Sequence, residues 1–182
     1  MLSINEKYIK KIERPSWDEY FLSLLPAIKS RSMDFNTKHS CVLVDENNHI
    51  VGTGYNSFPR GFPDDVLPNY RPPEEIDSIK HRFMVHSEVN AIANLTTKAY
   101  KELTCYLSGP PCLNCLCAMH QNKVTRIVIS EKYSWAKEAE EKDYWHEIFY
   151  HSGIKLETLT EEYLCLEISP IYYNWVVKRK YL

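Results

Sequence analysis

Residues 104–130 read TCYLSGPPCLNCLCAMHQNKVTRIVIS, and the order of signals in this stretch decides the fold. Thr104–Ser108 has the composition of a strand. Gly109-Pro110-Pro111 breaks it, and a helix is predicted from Cys112 to Lys123. Arg126–Ser130, built around Ile127-Val128-Ile129, is the next strand. Working outward, a helix precedes this unit at about Val85–Thr96. Before it stand two strands, Cys41–Asp45 and Ile50–Tyr55, joined by a hairpin turn at Glu46-Asn47-Asn48-His49. An opening helix starts at Pro15-Ser16-Trp17-Asp18-Glu19-Tyr20 and carries apolar residues at Phe21, Leu24, Leu25 and Ile28. Pro15 is expected near its first position and Pro26 is expected to bend or end it. A polar helix, Ser134 to about His151, and a short strand near Ile154–Leu159 follow the central unit. Strands alternating with helices after an initial hairpin predict an α/β sandwich with a mixed sheet. The segment from Asn56 to Lys80 is proline-rich and aperiodic, the mark of a long functional loop. The tyrosine-rich tail 160–182 carries no readable pattern.

The length of 182 residues fits one domain, expected over 1–182 with a core at about 14–159. Hydrophobic residues at 44% and charged residues at 25% are those of a globular chain. Twenty-two basic against 24 acidic side chains leave a net charge of −2, which argues against polymeric nucleic acid as a partner. The apolar runs are too short to span a membrane, and Met1–Glu6 lacks a secretory core, so a soluble, cytoplasmic protein is expected. Cysteines stand at 41, 105, 112, 115, 117 and 165. The cluster Cys112, Cys115, Cys117 points to metal or redox chemistry, not to a disulfide framework.

Two fragments carry that chemistry: His86-Ser87-Glu88 and Pro111-Cys112-Leu113-Asn114-Cys115. One histidine and two cysteines make three of the four ligands of a tetrahedral zinc, leaving the fourth position to water. Cys112 and Cys115, three apart at a helix start, can turn both sulfurs toward one point. Glu88, two residues beyond His86 and about 200° around an ideal helix, can stand off the metal beside its water. Cys117, Cys41, Cys105 and Cys165 read as core positions. His-x-Glu followed by Pro-Cys-x-x-Cys is the pattern of zinc nucleobase deaminases, in which the glutamate is the general acid and base.

Further blocks extend the likeness. Arg14–Phe21, Gly52-Thr53-Gly54-Tyr55-Asn56, Asp64-Asp65-Val66-Leu67-Pro68 and His86-Ser87-Glu88-Val89-Asn90-Ala91-Ile92 together resemble the deoxycytidylate (dCMP) deaminases of the cytidine deaminase superfamily. The resemblance implies a three-layer α/β/α fold around a mixed sheet of about five strands. It implies hydrolysis of dCMP to dUMP and ammonia, feeding thymidylate synthesis. His86, Cys112 and Cys115 would hold one catalytic Zn2+, and Glu88 would move protons. Asn56 would bind the sugar hydroxyl, Ser32 and Asn36 the 5′-phosphate, and Tyr133 would line the nucleotide pocket. The family also implies a homo-oligomer, commonly a hexamer, and control by dCTP and dTTP, with Mg2+ accompanying a nucleotide effector.

The chain departs from the family pattern twice. Ser57 replaces the glycine of Gly-Tyr-Asn-Gly, where an added Cβ can forbid a backbone shape and put effector control in doubt. His39-Ser40 replaces the Val-Gly before the first strand, near the proposed phosphate loop, where it bears on substrate preference. The alternatives are deamination of another pyrimidine nucleotide or nucleoside, such as cytidine or a modified dCMP, and a non-catalytic zinc-stabilised binding protein. A tRNA adenosine deaminase would be more basic.

Overall fold

The computed structural model describes residues 12–74, 79–97, 99–130 and 151–159. Helix α1 (Trp17–Lys29) is followed by β1 (Ser40–Asp45), β2 (Ile50–Tyr55), α2 (Ile79–Phe83), α3 (Ser87–Ala93), β3 (Leu103–Leu107), α4 (Leu113–Gln121), β4 (Val124–Ser130) and β5 (Lys155–Leu159). The five strands form one sheet in the order β2-β1-β3-β4-β5. The hairpin partner β2 and the neighbour β3 both run antiparallel to β1, whereas β3, β4 and β5 are parallel, so the sheet is mixed as expected.

Alternation along the strands divides the core into two layers. Cys41, Leu43, Cys105, Leu107, Ile127 and Ile129 face Ala91 of α3 and Leu116 and Met119 of α4. Val42, Val44, Tyr106 and Val128 face the other way, against Phe21, Leu22 and Leu25 of α1. Each such buried side chain contributes about 1.5–3 kcal/mol relative to exposure. The result is the three-layer α/β/α arrangement.

Helix α1 begins with a reciprocal capping box. Ser16 Oγ accepts from Glu19 N–H at 3.2 Å, and the Glu19 carboxylate accepts from Ser16 N–H. Pro15 therefore precedes the cap and does not occupy the first helical position. Pro26 does not end the helix, which continues to Lys29, with Ser30 N–H donating to the Pro26 carbonyl at 3.2 Å. Burial of Phe21, Leu22 and Leu25 on the sheet offsets the hydrogen bond that proline removes.

The hairpin turn is closed by Asp45, whose carboxylate accepts from Asn47 N–H and His49 N–H, while Asn48 takes the left-handed conformation at φ 63°. Helix α2, five residues that begin at the end of the long loop and run past Lys80, is not legible in the sequence, because so short an element shows no period. Expected boundaries at Val85, Thr96, Cys112 and Lys123 retract by one to three residues. The polar helix from Ser134, apart from helical residues 151 and 152, and the tail 160–182 with Cys165 lie outside the described residues.

Candidate active site

Two helix starts converge at the carboxyl end of β3. His86 is the N-cap of α3 and Cys112 the N-cap of α4, both extended in backbone, and neither side chain caps its own helix. Pro110-Pro111 restricts the approach to Cys112 to extended conformations. The approach to His86 is fixed by a bridge between Val85 and Ser57, with N···O distances of 2.8 and 3.1 Å. Asn90 of α3 ties the same loop by donating to the Tyr55 carbonyl and to Ser57 Oγ.

His86 Nδ1 lies 3.5 Å from Cys112 Sγ and 3.4 Å from Cys115 Sγ. Tetrahedral zinc with ordinary Zn–N and Zn–S bonds separates such atoms by about 3.5 Å, so the donor set fits the ion in kind and in spacing. Cys115 is buried and Cys112 exposed, which leaves the open side of the trio toward the cleft. The donors interact directly. A hydrogen bond from Cys115, with another from His86, pulls the Cys112 thiol down to about 4. The same Cys112 contact pushes Cys115 up, and Cys112 raises His86. The N-cap position of His86 also corrects the expected 200° argument: Glu88 stands apart because His86 precedes the helix.

Glu88 is 6% exposed and accepts from Ser87 Oγ at 2.8 Å. Burial raises its carboxyl above the usual range, suiting it to hold a proton near neutral pH. It lines a cleft of about 280 Å³ together with His86, Ser87, Cys112 and Pro110.

The opposite wall is organised by Asp34. Its Oδ1 accepts from Asn36 N–H and Thr37 N–H, both at 2.9 Å, and from Lys80 Nζ at 2.7 Å. Its Oδ2 accepts from Asn56 Nδ2 at 3.1 Å. Lys80 and Asp34 are both buried, so the pair is desolvated. Asn36, Thr37, His39, Asn56, Arg71, Lys80 and His81 all face the cleft.

The expected residues therefore divide. His86, Cys112, Cys115 and Glu88 come together at one end, and Asn56 and Asn36 line the other. Asn36 brackets Arg71 by donating to its carbonyl and accepting its N–H. Ser32 is buried with its Oγ accepting from Asp34 N–H, and it does not reach the cleft wall. Tyr133 lies outside the described residues. Cys117 is exposed, against the expectation of a core position, whereas Cys41 and Cys105 are buried with their sulfurs 3.4 Å apart. Asp34 and Lys80 were missed. Asp34-Phe35-Asn36-Thr37 has the form of an Asx turn and was legible, but nothing in the sequence singles out Lys80. Ser57, read as a possible backbone conflict, is absent from the described residues with positive φ, so no glycine-only shape is required there.

Helix starts that present an imidazole and two cysteine sulfurs around one point, with a buried carboxyl outside that trio beside them, define a zinc-dependent hydrolytic deaminase class. A family model described as the cytidine and deoxycytidylate deaminase zinc-binding region matches residues 15–131. The human deoxycytidylate deaminase is 34% identical over 131 residues, covering 71% of this chain and 74% of the relative. The mouse deoxycytidylate deaminase is 30% identical over 155 residues, covering 85% of each. The chain belongs to the deoxycytidylate deaminase family of the zinc-dependent cytidine deaminase superfamily. In fold it is similar to the dCMP deaminase of cyanophage S-TIM5, at a TM-score of 0.58 and 18% identity over 81% of this chain and 100% of that one. Among the described residues no helix is long and apolar enough to cross a membrane.

Proposed function

We propose that this chain is a hydrolase that converts dCMP and water to dUMP and ammonia. The observation that carries the reading is Glu88: a buried carboxyl beside three metal donors but outside their set, in a cleft large enough for one nucleotide. Zinc held by His86 Nδ1, Cys112 Sγ and Cys115 Sγ would supply a Lewis acid that brings a water to hydroxide character near neutral pH.

Glu88 takes the proton of the attacking water as the oxygen bonds to C4 of the cytosine. It then delivers that proton to ring N3, and a second transfer to the exocyclic nitrogen lets the C4–N bond break and ammonia leave. Ser87 Oγ, donating to Glu88, aims the carboxylate between water and base. Cys112 and Cys115 lie at the start of α4, where unpaired N–H groups favour negative charge. At the far end, Asn36, Lys80 and Arg71 line the part of the cleft that would receive the 5′-phosphate, and Asn56 lines the part that would receive the sugar. Ser32 acts through Asp34 by shaping the loop. Tyr133 as a pocket residue, effector control by dCTP and dTTP and a hexamer rest on the sequence resemblance, and a single domain over 1–182 in a cytoplasmic setting rests on length and composition. Among the described residues, the group of three metal-ligating side chains found is the zinc trio, so Mg2+ has no ligand cluster in its favour there.

The test is deamination of dCMP, deoxycytidine, dCTP and 5-substituted dCMP by metal-quantified protein, followed by absorbance, with and without dCTP or dTTP. The expected result is preference for dCMP with about one zinc per chain. Glu88→Gln should lower kcat by about 10²- to 10⁴-fold while zinc content and folding stay unchanged. Zinc-loaded protein inert on every substrate under every effector would overturn the reading.

A further inference from the structure

A carboxylate buried behind the phosphate end of a cleft would repel its ligand unless neutralised, so the presence of Asp34 there needs a reason. Asp34 is 3% exposed and does not itself line the cleft. Among the described residues four donate to its side chain, Asn36, Thr37, Asn56 and Lys80, and all four line the cleft. Oδ1 accepts from the N–H groups of Asn36 and Thr37 and from Lys80 Nζ, whose ammonium at 2.7 Å cancels the charge. Oδ2 has one donor among the described residues, Asn56 Nδ2. With its charge cancelled, the carboxylate contributes acceptor sites. It holds the loop after α1, the residue after β2 and a side chain of α2 on one group. Its own position is set by Ser32, whose buried Oγ accepts from Asp34 N–H at 3.2 Å.

The contact at Oδ2 differs in kind from the other three, because a primary amide can be turned over. Its two orientations have nearly the same shape and differ in which end donates. Three partners fix the choice at Asn56. Nδ2 faces two acceptors, Asp34 Oδ2 at 3.1 Å and the Thr37 carbonyl at 2.9 Å, and Oδ1 faces one donor, His39 N–H at 2.7 Å. Turning the amide over would set like against like at all three contacts. The carboxylate is the charged partner among them, and a hydrogen bond to an ionised acceptor is about twice as strong as one between neutral groups. Asp34 is thus the largest single reason that Asn56 keeps one orientation toward the cleft.

We propose that Asp34 is a positioning residue for nucleotide binding, acting through Asn56 by locking its amide so that the cleft always presents the same face of it. The inference rests on the nucleotide reading of the cleft and adds to it a residue that stands behind the cleft wall. An isosteric change isolates the effect. In Asp34→Asn the new –NH2 group has to take one of the two oxygen positions. At Oδ1 it would face two backbone N–H groups and an ammonium, so it takes the place of Oδ2 and meets Asn56 Nδ2, donor against donor. The loop and Lys80 keep their acceptor. Asn56 is left with two matched contacts as it stands and one if turned over, and its orientation is no longer locked.

The experiment is a double-mutant cycle on metal-loaded protein. Wild type, Asp34→Asn, Asn56→Ala and the double variant are each titrated calorimetrically with dUMP, assayed on dCMP and analysed for zinc. Asp34→Asn should weaken dUMP binding and raise KM for dCMP about tenfold, the worth of one charge-assisted hydrogen bond, with kcat held within about twofold and zinc content unchanged. With Asn56 already truncated, the same change should cost less than about threefold, because no amide is left to position. A merely structural role makes the loss equal in both backgrounds, and that result would overturn the proposal. No loss at all, a fall in kcat at constant KM, or loss of zinc would overturn it too. If Asp34→Asn does not fold, Ser32→Ala supplies a milder cycle, since it loosens Asp34 without altering any charge. It should weaken dUMP binding about threefold with Asn56 present and leave it unchanged in Asn56→Ala, and equal losses again overturn the proposal. Wild type that binds dUMP but does not turn over dCMP would sink the deaminase reading while the affinity cycle still decides the role of Asp34. Failure to bind either nucleotide would end both.

Discussion

Cys112, Cys115 and His86 announce themselves in the sequence because each sits at or just inside a helix start, where a three-residue spacing translates directly into proximity. Cys115 is the buried member of the trio, so Cys115→Ser should cost more stability than Cys112→Ser in metal-free protein, while either should abolish stoichiometric zinc. Urea unfolding with metal analysis separates the two effects. Ser57 illustrates the opposite case, since its consequence was invisible until its backbone and partners were known. Its hydroxyl donates to the Phe58 carbonyl and accepts from Asn90, so Ser57→Gly should destabilise by about 1 kcal/mol and leave zinc binding intact. Lys80 was illegible for a different reason. It becomes special only when the loop folds Asp34 against it, a contact 46 residues apart in sequence. Removing its charge strands a buried carboxylate, so Lys80→Met should cost about 3–5 kcal/mol and weaken nucleotide binding, measurable by urea unfolding and calorimetry.

At the scale of elements, α3 rests directly on the backbone of β2. A Cβ at Gly54 would stand 2.1 Å from the Ser87 carbonyl oxygen and 2.5 Å from Ala91 N, and one at Gly52 would stand 2.6 Å from the Ala91 carbonyl oxygen. These glycines are needed for close approach and not for turning. Gly54→Ala must push away the helix that carries Glu88, so it should lower both zinc occupancy and turnover beyond the ~1–3 kcal/mol of ordinary overpacking. Metal analysis of the purified variant reads this directly. Strand positions and the hairpin were legible because alternation and turn residues agree, and the ends of α3 and α4 were off only within fraying distance. Pro26 does not end the helix, because its local effect is outweighed by packing that one segment of sequence does not display. The short helix at the end of the long loop carried no period to read.

Across the whole molecule, α1 is fastened to the far side of the sheet by one acidic residue. Asp18 receives both guanidinium nitrogens of Arg126 at 2.7 Å and the Tyr106 hydroxyl at 2.7 Å, and Arg126 also pairs with Glu157 of β5. The Arg126 hydrogen bonds hold the Asp18 carboxyl below its ordinary range. A carboxyl depressed in the folded state stabilises fully above its unfolded pKa of about 3.9 and loses that contribution as pH falls through the folded value. Asp18→Asn should therefore lower the urea midpoint at pH 7 and flatten its decline below about pH 4. The layering that this clasp completes was readable from strand alternation, but the clasp itself joins residues 108 apart and was not. The two uncapped helix starts have a consequence at this same scale. His86 and Cys112 give up the capping role to face a common point, so an ion held between them would also tie α3 to α4. Native stability then follows mass action: a free-zinc level 100 times the dissociation constant adds about 2.7 kcal/mol, and a level 1,000 times adds about 4.1. The lifetime of the chain in a cell would then gauge metal supply, scarcity exposing the protein to degradation as well as removing the ion from its cleft.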